Sequence, residues 1–158
     1  MKKIIYLHGL ESNQGGQKVD FLSSLGLVYA PIMEYKTKAK TIFDSILAEG
    51  KLIQPDLIVG SSMGGYFAES LATHIDTKLL LFNPATINSE SYLKEFEIKT
   101  FMGNLKPKGS VVLGMNDDVV NPIENEKRYC NLGFKIFKEE HGHRTDLDLF
   151  KKYIDIIL

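Results

Sequence analysis

This sequence lacks nearly every feature that would point to a specialised environment. It contains a single cysteine, Cys130; one thiol cannot close an intramolecular disulfide, which fits a reducing cytoplasm. Neither charge is in excess, since 19 Lys+Arg stand against 20 Asp+Glu for a formal net charge of -1. Such a balance offers no electrostatic footprint for nucleic acid and no basic face for a membrane surface. No apolar run approaches the length of a membrane span, and that of the opening MKKIIYLHGLE is too short for a signal peptide. Repeats, low-complexity tracts and linkers are missing too. One domain, 1–158, is therefore expected, long enough to bury a proper core.

Six short apolar runs read as strands: KIIYLH from Lys3, LVYA from Leu27, DLIVGS from Asp56, KLLLFN from Lys78, SVVLGM from Ser110 and FKIFKE from Phe134. Between them lie helical stretches. Residues 38–53 put Ala39, Ile42, Phe43, Ile46, Leu47 and Ile53 on one stripe, and a last helix from about Asp146 turns Leu147, Phe150, Tyr153, Ile154 and Ile157 inward. Its start, Thr145-Asp146-Leu147-Asp148, has the look of a capping box. Strands alternating with helices imply parallel pairing through right-handed crossovers, hence an α/β sheet with helices on both faces. In such a sheet ligands bind beyond the carboxyl ends of the strands. Those ends carry His8-Gly9-Leu10, Ser61-Ser62-Met63, Asn83-Pro84, Asn116-Asp117-Asp118 and His141-Gly142-His143.

The stretch LIVGSSMGGYFAESLA passes from a buried strand straight into a helix whose apolar residues are Phe67, Ala68, Leu71, Ala72 and Ile75. Within it Gly60-Ser61-Ser62-Met63-Gly64 matches G-x-S-x-G, a turn so tight that side chains two residues either side of Ser62 would clash. A serine hydroxyl needs a base to take its proton, and histidine has the right chemistry. Where such an elbow serves a triad, the partners follow in the order serine, acid, histidine. That order selects His141 or His143, with His143 favoured by its position against the last helix. His74, near the far end of the serine's helix, reads as solvated, and no Cys/His cluster joins the His-Gly-His pair to make a metal site. The acid is Asp117 or Asp118, both directly after a buried strand. Two backbone amides, of Met63 and Leu10, are expected to form an oxyanion hole, with Gly9 letting the first loop approach. No phosphate loop competes, because Gly60 to Tyr66 lacks the Lys-Ser/Thr ending.

Taken together, YLHGLESNQGGQK, VGSSMGGYFAESLA, LLFNPA, LGMNDDVVNP and HGHRTDLDLF resemble the α/β-hydrolase superfamily and, within it, the small YqiA/YcfP-like bacterial esterases. The blocks run from near residue 4 to near residue 150. The resemblance implies a three-layer α/β/α fold with a mainly parallel six-stranded sheet in the order 2-1-3-4-5-6 and no large cap domain. The pattern G-x-x-D-x-V-V of such hydrolases falls on Gly114, Asp117, Val119 and Val120, which selects Asp117 over Asp118. The pattern G-G-x-H falls on Glu140, His141, Gly142 and His143, where both glycines are absent. Ser62, Asp117 and His143 are thus the expected triad, with His8, Gly9, Asn83 and Pro84 shaping the pocket. The longest insert, 86–109, is either an apolar lid or a crossover helix with a loop.

The resemblance further implies hydrolysis of a small-molecule acyl ester or thioester through an acyl-enzyme, with no cofactor, no metal, no nucleic acid and no membrane. Two other functions share the pattern: a catalytically silent binding or regulatory protein, since fold alone does not fix function, and an acyltransferase.

Overall fold

The computed structural model describes residues 1–10, 12–86 and 101–158. Six strands form one sheet: β1 (Lys2–Leu7), β2 (Gly26–Tyr29), β3 (Leu57–Ser61), β4 (Lys78–Phe82), β5 (Lys108–Gly114) and β6 (Lys135–Glu139). Every pairing is parallel and the order is β2-β1-β3-β4-β5-β6, as expected. Among the described residues, helices run as α1 (Gln17–Leu25), α2 (Tyr35–Ile53), α3 (Met63–Ala72), α4 (Pro122–Asn131) and α5 (Leu147–Ile157). None is long and apolar enough to cross a membrane.

The inner strands are apolar at consecutive positions because both sheet faces are covered. Alternate residues point to opposite sides. Ile5, Leu7, Ile58, Leu79, Leu81, Val111 and Leu113 pack against α2, α3 and α4 through Phe43, Ile46, Phe67, Leu71 and Tyr129. Ile4, Tyr6, Leu57, Val59, Leu80, Phe82 and Val112 pack against α1 and α5 through Leu22, Phe150, Tyr153 and Ile154. The apolar stripe of α2 is realised at Ile42, Phe43 and Ile46, all buried. All ten residues of α3 are buried, so its stripe marks only part of the surface it loses to neighbours.

Two local readings need correction, and a third falls mostly outside the described residues. The cap of α5 is Asp146, whose carboxylate accepts the Leu149 amide at 2.8 Å, not Thr145 one residue earlier. The aspartate takes the extended cap geometry, and Thr145 is drawn into the interior, 5 % exposed. His74 lies just past α3 and is only partly exposed, with its Nε2 paired to the Phe101 carbonyl at 2.7 Å and its ring packed on Phe43. Of the insert 86–109, residues 87–100, with Tyr92, Leu93 and Phe96, lie outside the described residues. Its far end is fastened at α2 and at the end of α3 remote from Ser62: Phe101 stacks on Phe43 of α2 at 4.2 Å, and the Leu105 amide donates to the Thr73 carbonyl.

Sheet order reverses at β1, which has β2 on one side and β3 on the other. The crevice beyond the carboxyl ends of β1 and β3 is where such a sheet opens to ligands.

Candidate active site

Ser62 stands in that crevice between β3 and α3, with φ 53 and ψ -120. A positive φ is costly for any residue with a Cβ, and the surroundings hold it. The Ser62 amide donates to the Phe82 carbonyl at 3.0 Å, and the Ser62 carbonyl accepts the amides of Gly65 and Ala85, each at 2.9 Å. Close packing around the turn explains the glycines. A Cβ on Gly60 would sit 2.6 Å from the Ala68 Cβ, and one on Gly64 would run into the carbonyls of Leu7 and His8.

His143 arrives from the loop after β6. Its Nδ1 lies 2.8 Å from Asp117 Oδ2 and its Nε2 lies 2.9 Å from Ser62 Oγ. A carboxylate can only accept, so Nδ1–H donates to Asp117 and Nε2 remains as acceptor for the serine hydroxyl. Asp117 Oδ1 also accepts the amides of Val119 (2.8 Å) and Val120 (2.9 Å). Burial alone would raise the Asp117 pKa, yet the hydrogen bonds from His143 and the two amides outweigh it and hold the carboxyl below its ordinary value. The two loops are registered by main-chain bonds that continue the β5–β6 ladder, Met115 to Glu139 and Asn116 to His141. Asp118 is exposed. His141 turns away, its Nδ1 donating to the Gly142 carbonyl at 2.6 Å.

The expected pocket residues separate into two kinds. Gly9, Leu10 and Met63 line a cavity of about 860 Å³ that also receives Ser62 and His143. A Cβ on Gly9 would lie 3.2 Å from the Ser62 Cβ, so glycine lets this loop reach the serine. Among the described residues the amides of Leu10 and Met63 have no acceptor. His8, Asn83 and Pro84 lie behind the wall instead, and of the 83–85 segment only Ala85 lines the cavity. His8 is 3 % exposed. The Met33 amide donates to its Nε2 at 3.2 Å, so Nδ1 carries the proton and donates to the Gly9 carbonyl at 2.8 Å. Burial lowers the His8 pKa, outweighing that bond to Gly9.

Asn83 is the residue whose importance sequence reasoning placed wrongly. It is 1 % exposed, at φ 42. Its Nδ2 donates to the carbonyls of Gly142 (3.1 Å) and His143 (2.8 Å), while its Oδ1 accepts the Gly114 amide (2.7 Å). It therefore ties the histidine's loop to the ends of β4 and β5. A second network escaped notice altogether. Glu69 on α3, 2 % exposed, accepts from Arg128 and from Tyr129 (2.7 Å), both on α4.

The doubly wound sheet in this strand order has the α/β-hydrolase fold, and Ser62, His143 and Asp117 lie in one hydrogen-bonded line at its switch point. The chain belongs to the uncharacterised protein family UPF0227, which matches residues 3–104. It is 26 % identical over 162 residues to the UPF0227 protein YcfP of Escherichia coli (strain K12 / DH10B), covering 89 % of each chain. In three dimensions it resembles Est1E of Butyrivibrio proteoclasticus, a structure with ferulic acid bound (TM-score 0.74, 15 % identity, 99 % of this chain and 89 % of that one). It also resembles an esterase of Pyrococcus furiosus (TM-score 0.73, 17 % identity, 99 % and 79 %). At such identities the likeness shows the shared fold.

Proposed function

We propose that the protein is a serine hydrolase cleaving small carboxyl esters or thioesters through an acyl-enzyme on Ser62. The observation that carries this is the unbroken line Ser62 Oγ, His143, Asp117, with contacts of 2.9 and 2.8 Å, opening into a cavity. In this reading Nε2 of His143 takes the hydroxyl proton as Ser62 attacks the substrate carbonyl, and Asp117 orients the ring and stabilises its charged form. The amides of Leu10 and Met63 receive the developing oxyanion, with the N-terminal end of α3 adding its dipole. His143 then returns the proton to the leaving alcohol or thiol. Water, activated by the same imidazole, releases the acid and restores the serine.

The 158 residues act here as one domain. A reducing cytoplasm suits its lone, exposed Cys130. Turnover of p-nitrophenyl esters and of acyl thioesters of graded chain length, by the protein and by Ser62→Ala, tests the reading. It predicts turnover by the first and loss in the variant by several orders of magnitude, with the thermal transition retained. Equal turnover by both would refute it. Adding alcohols or amines separates hydrolysis from acyl transfer by the products formed.

A further inference from the structure

The cavity is not electrically even. Its wall between β1, α1 and the start of α5 is built from Tyr6, Gln17, Lys18, Arg144 and Thr145. Two of these are cations, and the sole carboxylate among the described lining residues is the exposed Asp118, on the loop after β5. Lys18 is half-buried, with its Nζ above the Phe150 ring at 5.2 Å. One of its protons goes to the Thr145 carbonyl at 2.6 Å. Among the described residues no carboxylate lies within 4.0 Å of the ammonium. The charge of Asp146 acts on Lys18 without contact while its carboxylate caps α5, and burial outweighs it, lowering the lysine's pKa.

Three further groups share this wall. Gly16 caps α1 without a side-chain hydrogen bond, which leaves the amides of Gln17, Lys18 and Val19 without helical acceptors. Thr145 is 95 % buried (5 % exposed), and its hydroxyl has no partner. Tyr6, 4 % exposed, has its pKa pushed up to about 12 by burial, so its hydroxyl stays a donor. A wall with a half-buried ammonium, helix-entry amides and hydroxyls supplies donors and positive charge, and among the described residues no carboxylate is ion-paired with that ammonium.

We propose that the substrate of Ser62 bears a compact oxyanion, a carboxylate or a phosphate, which docks on Lys18 and the first amides of α1, with Arg144 as the second cation. The proposal rests on the reading of Ser62 as nucleophile and narrows its substrate class. Anionic groups are favoured at helix N-termini and by charge-assisted hydrogen bonds, and a partly desolvated ammonium strengthens both.

The test uses three aryl acetates of one shape: 4-acetoxybenzoate, 4-acetoxyphenyl phosphate and the neutral methyl 4-acetoxybenzoate. The quantity read is the ratio of kcat/KM for each anionic ester to that for the neutral one, in the unmodified protein, Lys18→Met and Arg144→Gln. The unmodified protein should prefer one of the anions, and which one identifies the oxyanion. In Lys18→Met that ratio should fall about 10- to 100-fold, the range of a lost charge-assisted bond. In Arg144→Gln, at an exposed position, it should fall about 3-fold. If Lys18→Met does not fold, the preference of the unmodified protein and its fall of about 3-fold in Arg144→Gln decide. A preference for the neutral ester over both anions overturns the proposal. So does an equal loss on all three esters in Lys18→Met, which would make the lysine only a tie to the Thr145 loop. A protein that hydrolyses all three without discrimination overturns it while leaving Ser62 as nucleophile. Failure to turn over any of them, with Ser62 unreactive, removes both readings.

Discussion

Asp117 and Glu69 are two carboxylates in the same protein, each with a side chain only 2 % exposed. Each is fully partnered, yet they are built for opposite ends. Glu69 is bound by the fixed cation of Arg128 and the Tyr129 hydroxyl, joining α3 to α4. Neither partner can hand on a proton near neutrality: burial raises the Tyr129 pKa well above its ordinary value, and the charge of Glu69 raises that of Arg128 despite burial. Asp117 is bound instead by His143, whose imidazole also touches a serine hydroxyl through its other ring nitrogen. Burial of an acid thus says little about its role; the chemistry of its partner and where that partner points decide it.

The comparison breaks most visibly at Asp117. Asp117→Asn should keep the fold and lose turnover by about four orders of magnitude, the scale of a mis-set histidine tautomer; kcat for a simple ester is the measurement. Asn83→Ala should come next, because it unpairs two carbonyls and an amide in the interior. A loss of about 3 kcal/mol in urea unfolding is expected, at roughly 1 or more per unsatisfied group, together with reduced kcat from a loosened His143 loop.

Glu69→Ala should cost about 3 kcal/mol of stability, towards the lower end for a broken buried pair because the Arg128 side chain is 32 % exposed. Turnover per folded molecule should change only a few-fold; a kcat loss matching that of Asp117→Asn would erase the distinction between the two acids. Smaller still is the pH effect of His8. Its folded-state pKa is lowered, so the unfolded chain takes up the proton first. Its contribution is present above the ordinary value of about 6.5 and is lost as pH falls through the folded value. The drop in Tm between pH 7.5 and 5.5 should therefore be smaller in His8→Gln than in the unmodified protein. Asp118→Asn, at an exposed position, should change kcat least of all.

The parts legible in the sequence were those with dense local signals. The four inner strands announce themselves because burial on both faces makes each an apolar run, the edge strands β2 and β6 show shorter apolar stretches, and the strand–turn–helix at Ser62 carries its glycines beside it. Helix α4 stayed hidden because PIENEKRYCN buries only Asn125 and Tyr129, too few residues to show a period. Its real signal was Asn121 before Pro122, a cap whose side chain accepts the amides of Ile123 and Glu124. Helix α1 has a glycine for a cap and buries only Leu22, so it offered even less. Asn83 was misread as a pocket residue because its partners lie 59 and 60 residues away, and a single polar residue after a strand does not say which way it faces. Glu69 went unnoticed for the same reason, its partners being 59 and 60 residues distant on a helix that had not been seen.

The central claim is that Ser62 is made nucleophilic by His143, and a fluorophosphonate probe interrogates it directly. Incubation followed by peptide mass spectrometry should find one phosphonyl adduct, on Ser62, forming far more slowly in His143→Ala. An adduct on another residue, no adduct at all, or an undiminished rate in His143→Ala would contradict the account.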